Sequence, residues 1–167
     1  MSLILDGYNV LFAIAEQRGR SVAEAIEAAR ETLLRHLLRH HRQTGEATVI
    51  IFDSRHGTGG ARTQQTLPGI RIFYSHPPRT ADDDIRRLVE TSTAPKQLRV
   101  VSSDRQLAAD CARRGASVVG ARTFFNALLQ EARSTSKEEE ESRIKTQPPS
   151  DEEVRDWLKI FGNDPKE

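Results

Sequence analysis

The chain has 167 residues, enough for one ordinary domain with a core, plus a tail. Its formal net charge is only +1, but residues 134–167 carry 6 Lys+Arg against 10 Asp+Glu and the preceding part 19 against 14, so a mildly basic domain precedes an acidic tail. One cysteine, Cys111, excludes an internal disulfide framework; no leader pattern opens the chain and no apolar stretch could span a bilayer, so a cytoplasmic protein with no membrane partner is expected.

Leu3-Ile4-Leu5 reads as a buried strand closed by Asp6, and Gly7 permits a tight turn or a close backbone approach. Asn9 adds a short polar side chain just beyond. A carboxylate at the tip of a buried strand is costly unless a hydrogen-bonded turn or a cation compensates it. Tyr8, beside that strand, reads as core rather than as a ring for stacking on a base. Ser21-Val22-Ala23-Glu24 has the form of a capping box, and Ile26, Ala29, Leu33 and Leu37 follow at helical spacing toward Gly45. His36, His40 and His41 fall late in that helix. No third ligand completes a zinc pattern, so they read as surface histidines favoured by the helix dipole.

Thr48 to Phe52 is a second apolar strand, closed by Asp53. The glycine-rich loop after it holds Arg55, His56 and Arg62 and lacks the Gly-Lys-Ser/Thr of a phosphate-binding loop. It reads as a loop carrying its basic side chains near the mouth of a site. Ile70 to Tyr74 is a third strand, ended by Pro77-Pro78. Thr80-Ala81-Asp82-Asp83-Asp84 then opens a helix continued by Ile85, Leu88 and Val89. At about 100° per residue, Asp82 borders the apolar face, Asp83 points away and Asp84 lies toward the opposite flank. Asp82 is therefore placed to face inward, and Asp83 suits capping through Thr80 or a supporting role.

Leu98 to Val101 is a fourth strand, finished by Ser102-Ser103-Asp104. The next helix runs through Leu107, Ala108, Cys111 and Ala112 to Gly115, and its small residues make Cys111 a core residue. Ser117 to Val119 is a short fifth strand, and Thr123 is expected to cap a last helix with Phe124, Ala127, Leu128 and Ala132. The domain is thus drawn at 1–133. Residues 134–149, with the run Glu138 to Glu141, read as a charged linker, disordered or weakly helical. Residues 150–167 hold a short amphipathic helix with Val154, Trp157, Leu158 and Phe161, which packs on the domain or engages a protein partner.

Apolar strands alternating with helices predict an α/β fold, a parallel sheet of about five strands with helices on both faces. Ligands in such sheets gather beyond the carboxyl ends of the strands, where strand order reverses. Asp6, Asp53 and Asp104 all lie at carboxyl ends, and Asp82 opens a helix on the same side. Carboxylates converging there raise one another's pKa values unless a cation neutralises them. Oxygen-only donors favour Mg²⁺ or Mn²⁺ over zinc.

Leu5-Asp6-Gly7-Tyr8-Asn9, Phe52-Asp53, Thr80-Ala81-Asp82-Asp83 and Ser102-Ser103-Asp104 resemble, in order and spacing, the motifs of the NYN domain in the YacP-like branch of the PIN-like nucleases. The similarity runs from about Leu3 to Ala132. It implies a PIN-like fold and a metal-dependent endoribonuclease leaving 5′-phosphate and 3′-hydroxyl ends. Carried over by position, Asp6, Asp82 and Asp104 are implied as metal-binding carboxylates for Mg²⁺ or Mn²⁺, with Asp83 contributing and Asn9 and Asp53 in support. Arg55, Arg62, Arg79 and Arg105 are candidate contacts for RNA phosphates. Some NYN nucleases place another acid one turn after the position of Asp104, where this chain has Ala108, with Asp110 off that spacing. The alternative is an RNA-binding or ribosome-associated module that does not cleave. A haloacid-dehalogenase phosphatase would need an aspartate where Tyr8 stands, and a receiver domain would need a lysine after its last strand.

Overall fold

In chain order the elements are β1 (Ser2–Asp6), α1 (Gly7–Glu16), α2 (Val22–Thr44), β2 (Ala47–Asp53), β3 (Gln65–Leu67), β4 (Ile70–Ser75), α3 (Ala81–Glu90), β5 (Leu98–Val101), α4 (Arg105–Arg113), β6 (Ser117–Val119) and α5 (Ala121–Thr146). The structure, a computed structural model, describes residues 1–16, 22–54 and 64–146. Strands lie in the order β3-β4-β2-β1-β5-β6, all parallel except β3, which runs antiparallel to β4. From β1 the chain builds outward through β2 and β4, then returns to the other side of β1 as β5. Strand order therefore reverses between β1 and β5, at the strand end that carries Asp6.

The two faces of the sheet bury different side chains, as a period of two requires. Leu3, Leu5, Ile50, Phe52, Ile70 and Ile72 pack with Leu11 and Ile14 of α1, Leu33 and Leu37 of α2, and Phe124, Phe125 and Leu128 of α5. Ile4, Ile51 and Val100 pack on the other face with Ile85 and Val89 of α3 and Leu107 and Cys111 of α4. Each fully buried Leu or Ile contributes about 1.5–3 kcal/mol. Residues 1–132 form one compact unit; the second, 133–167, begins within α5, which stays helical through the charged run to Thr146. The helix expected around Trp157 lies outside the described residues. None of the described helices is long and apolar enough to cross a membrane.

Four local expectations change. A helix begins at Gly7 itself, so of the two uses expected of this glycine the close approach applies: a Cβ there would stand 2.9 Å from Cγ of Phe52 and nearer still to two other ring carbons. β3 escapes the sequence because it has three residues and one apolar side chain; Gly69, at φ +72°, turns it back into β4. α5 starts at Ala121, two residues before the expected cap Thr123, because Ser103 Oγ accepts the Ala121 N–H at 3.1 Å. His40 is not a surface histidine. It is 6% exposed, with Nε2 2.9 Å from Glu46 Oε2 and Nδ1 2.8 Å from Glu131 Oε2. Only the imidazolium donates to both carboxylates. His36, on the same helix, meets the Phe125 ring edge-on.

Two predictions concern stability. Burial opposes the charge on His40, but Glu46 and Glu131 together hold its pKa above 6.5. A raised histidine stabilises the fold fully below its unfolded value of about 6.5 and loses that contribution as pH rises through the folded value. Thermal unfolding of wild type should therefore show a fall in midpoint above pH 6.5 that is missing from His40→Ala. At neutral pH that variant should lose on the order of 3 kcal/mol, because Glu46 is left buried without its cation. Gly7→Ala forces the Phe52 ring to move and should cost about 1–3 kcal/mol in urea unfolding.

Candidate active site

Register aligns the strand ends: Asp6 pairs with Ile51 and Leu5 with Val101, which brings Asp6, Asp53 and the segment Ser102-Ser103-Asp104 to one rim. A cavity of about 300 Å³ opens there, lined by Asp6, Tyr8, Asn9, Phe12, Asp53, Thr80, Ala81 and Asp82. A larger hollow of about 500 Å³ lies at the amino ends of the strands, beside Ser2, Ala47, Thr48 and Leu98. Among the described residues no carboxylate lines it, whereas Asp6, Asp53 and Asp82 all line the smaller one.

Asp6 is half-buried at the end of β1. Its Oδ1 accepts the Asn9 N–H at 3.4 Å and its Oδ2 accepts the Ser102 hydroxyl at 3.3 Å. Burial pushes its pKa up to about 6, and the charges of Asp82 and Asp104 push the same way against those two hydrogen bonds. Asp82 is also raised, by burial first and then by Asp104, while Arg86 pulls it down. Asp53 adds to that repulsion. The expected carboxylates thus share one electrostatic environment.

Three helices start at this rim, α1 after Asp6, α3 after Thr80 and α4 after Asp104, and the positive ends of their dipoles partly offset its negative charge. Thr80 caps α3 in a capping box: its Oγ1 accepts the Asp83 N–H at 3.2 Å, and Asp83 Oδ2 accepts the Thr80 N–H at 2.9 Å. Asp83 is therefore engaged in the cap and does not line the cavity. Asp104 caps α4 through Leu107 N–H at 2.7 Å, just beyond the cavity lining. Asn9 Oδ1 accepts the Ser103 N–H at 2.8 Å and so ties α1 to the connection between β5 and α4.

Sequence reasoning missed Arg86, and it named Ser102 and Ser103 only within the motif that ends in Asp104, without a role for either. Arg86 lies 3.9 Å from Asp82, 3.5 Å from Asp83 and 2.8 Å from Asp110. Its spacing of four and three residues from Asp82 and Asp83 was the available signal. Asp110, off the spacing of the acid that Ala108 replaces, pairs with Arg86 and Arg113. Of the basic candidates, Arg79 is exposed and 3.4 Å from Asp84, and Arg105 is exposed at the start of α4. Arg55 and Arg62 lie outside the described residues.

The donor set suits a hard divalent ion, being all oxygen and mutually repulsive. Among the described residues no three acidic, His or Cys side chains are grouped closely enough to hold an ion by themselves.

A family model described as the YacP-like NYN domain matches residues 3–160. A curated protein of Bacillus subtilis (strain 168), described as uncharacterized protein YacP, is 27% identical over 103 residues, covering 61% of this chain and 59% of that protein. The match thus spans less than two thirds of the relative. Among solved structures, Rae1 (YacP) from Bacillus subtilis superposes with a TM-score of 0.62 at 23% identity over 97% of this chain and 92% of that one. A mutant of the same protein gives 0.65 at 22% identity over 81% and 79%. At those identities the structural likeness concerns the fold.

The raised carboxylate makes a prediction about stability. A proton on Asp6 stabilises the fold fully below its unfolded value of about 3.8, and that contribution disappears as pH rises through about 6. In EDTA at pH 7.5, Asp6→Asn should be more stable than wild type by on the order of 2 kcal/mol and so unfold at a higher temperature. At pH 4 the two should unfold nearly together.

Proposed function

The chain belongs to the YacP-like NYN domain family, and from that membership and its acidic rim we propose that it is a metal-dependent endoribonuclease. The family is one of the PIN-like nucleases, so a nuclease-type hydrolase is the coarse role. The observation that carries the finer reading is the coupling of Asp6, Asp82 and Asp104 at the point where strand order reverses. Asp6 and Asp82, whose pKa values are raised by burial and then by neighbouring carboxylates, need a cation to be fully ionised together.

Asp6 and Asp104 would hold one Mg²⁺ or Mn²⁺, and Asp82 would serve a second as the scissile phosphate arrives. The bound ion supplies polarisation of the phosphate and a lowered pKa for an attacking water. The protein's own side chains set the geometry. Asn9 and Ser102 hold Asp6 by hydrogen bonds and so aim both its oxygens. Asp53 lines the same cavity and adds to the charge on Asp82. Arg86 balances Asp82 without neutralising it, because it is shared with Asp83 and Asp110. Arg79 and Arg105, exposed beside the two helix starts, would take flanking phosphates. In-line attack by water would leave 5′-phosphate and 3′-hydroxyl ends. RNA is the proposed partner, free or carried by a ribosome.

A second reading has one observation in its favour. The acid that some NYN nucleases place a turn after the last aspartate is Ala108 here, and Asp110 is engaged by Arg86 and Arg113. A module that binds RNA without cutting it would carry such a site.

One assay separates the two. An end-labelled mixed-sequence RNA is incubated, with and without ribosomes, in Mg²⁺, Mn²⁺ or EDTA. Wild type should cut only with metal, and Asp6→Asn or Asp104→Asn should cut on the order of 100-fold more slowly, the scale for loss of one transition-state-stabilising group. Binding without cleavage by wild type in every condition would favour the non-cleaving module, and full activity in Asp6→Asn would sink the catalytic scheme.

A further inference from the structure

Among the described residues only Met1, Phe12 and Leu88 are large apolar side chains left exposed, and of these Phe12 alone lines the acidic cavity. It stands 38% exposed on α1, a helix whose Val10, Leu11 and Ile14 are fully buried. The core therefore does not need this ring. A phenylalanine kept in water beside three aspartates is costly to solubility and packing unless a flat apolar partner covers it.

The ring is also backed by others. Its centroid is 6.1 Å from that of Tyr8, which meets Phe52 edge-on at 5.2 Å. Phe52 stacks on Tyr74 at 5.5 Å, and the Arg30 guanidinium lies 5.6 Å over Phe52. Such a chain of rings offers a stiff platform with little rotamer freedom left to lose on binding.

We infer that Phe12 is the surface on which a nucleobase of the substrate stacks beside the scissile phosphate, an inference that rests on the RNA-nuclease reading of the same cavity. The surrounding charge selects the base as the occupant. Asp6, Asp53 and Asp82 repel any phosphate that no cation bridges, the exposed Arg79 stands outside the cavity lining, and Arg86 is held by Asp82, Asp83 and Asp110. A neutral aromatic face is the part of RNA that this wall accepts. Stacking tolerates any base, because every base has a π-face, but it requires one free of a duplex. Phe12 thus selects an unpaired nucleotide at the cut and imposes no sequence of its own. Tyr8, 8% exposed, supports the ring from behind.

The test uses a single-stranded oligoribonucleotide carrying 2-aminopurine at the nucleotide beside the cleavage position, and a second oligonucleotide abasic there. Wild type, Phe12→Ala and Phe12→Tyr are compared for binding, fluorescence quenching, KM and kcat. Phe12→Ala should bind about tenfold or more weakly, as loss of one base stack does, and should fail to quench. The loss should fall on KM more than on kcat. Phe12→Tyr, which keeps a ring at an exposed position, should behave as wild type. On the abasic oligonucleotide wild type and Phe12→Ala should be equal, since the partner of the ring is gone. Equal quenching, affinity and KM for wild type and Phe12→Ala on the full substrate would overturn the inference while leaving the nuclease intact. Quenching lost in Phe12→Ala without cleavage by either protein would uphold the platform and sink the nuclease. No RNA binding by wild type would overturn both.

Discussion

The carboxylate of Asp6 sits at the end of the central strand of the sheet, half-buried, with Asp82 and Asp104 close enough to raise its pKa. Much of the rest can be understood as compensation for that arrangement. Ser102 and the Asn9 backbone donate to its two oxygens, three helices start at the rim, and Arg86 supplies a shared counter-charge to Asp82. None of these removes the repulsion. A site that holds repelling carboxylates in place does so at a cost in stability that the rest of the sheet must offset.

Rigid support for that rim comes from hydrogen bonds that run between elements distant in sequence. Asn9 on α1 holds Ser103, and Ser103 in turn holds the first N–H of α5. Elsewhere in the same unit, the His40 imidazolium joins α2, the turn before β2 and α5 through two carboxylates. Elements that meet at fixed polar contacts cannot slide, so the strand ends keep their spacing. Gly7 adds a packing constraint of the same kind. Its missing side chain is what lets Phe52 approach the start of α1 and lets the aromatic chain from Tyr74 to Phe12 form.

The alternation of strands and helices, the aspartates that close β1 and β2, and the capping box of Thr80 and Asp83 could all be read along the chain. These are local signals: a short apolar run, a terminal carboxylate, a side chain reaching three residues on. The helix at Gly7 was hidden because glycine reads as a turn, and β3 because three residues show no period. Other features needed distant partners. His40 reads as a solvated histidine until Glu46 and Glu131 are seen against it, and Glu131 is 91 residues away. Tyr8 could be read as core from its place beside the strand, but nothing near Phe12 marks that ring as the exposed one.

What the sequence by itself determined was most of the elements and the identity of the acids at the strand ends, because each depends on residues within one turn or one strand, together with the fold family, which the order of those acidic motifs along the chain carries. Only the tertiary structure decided which of those acids share a cavity, which is consumed in capping and which basic side chains are already paired. Charge coupling falls off over a few ångströms in space, whatever the separation along the chain. The order of strands, set by how two layers of helices bury both faces of the sheet, is what brings Asp6, Asp82 and Asp104 within that range.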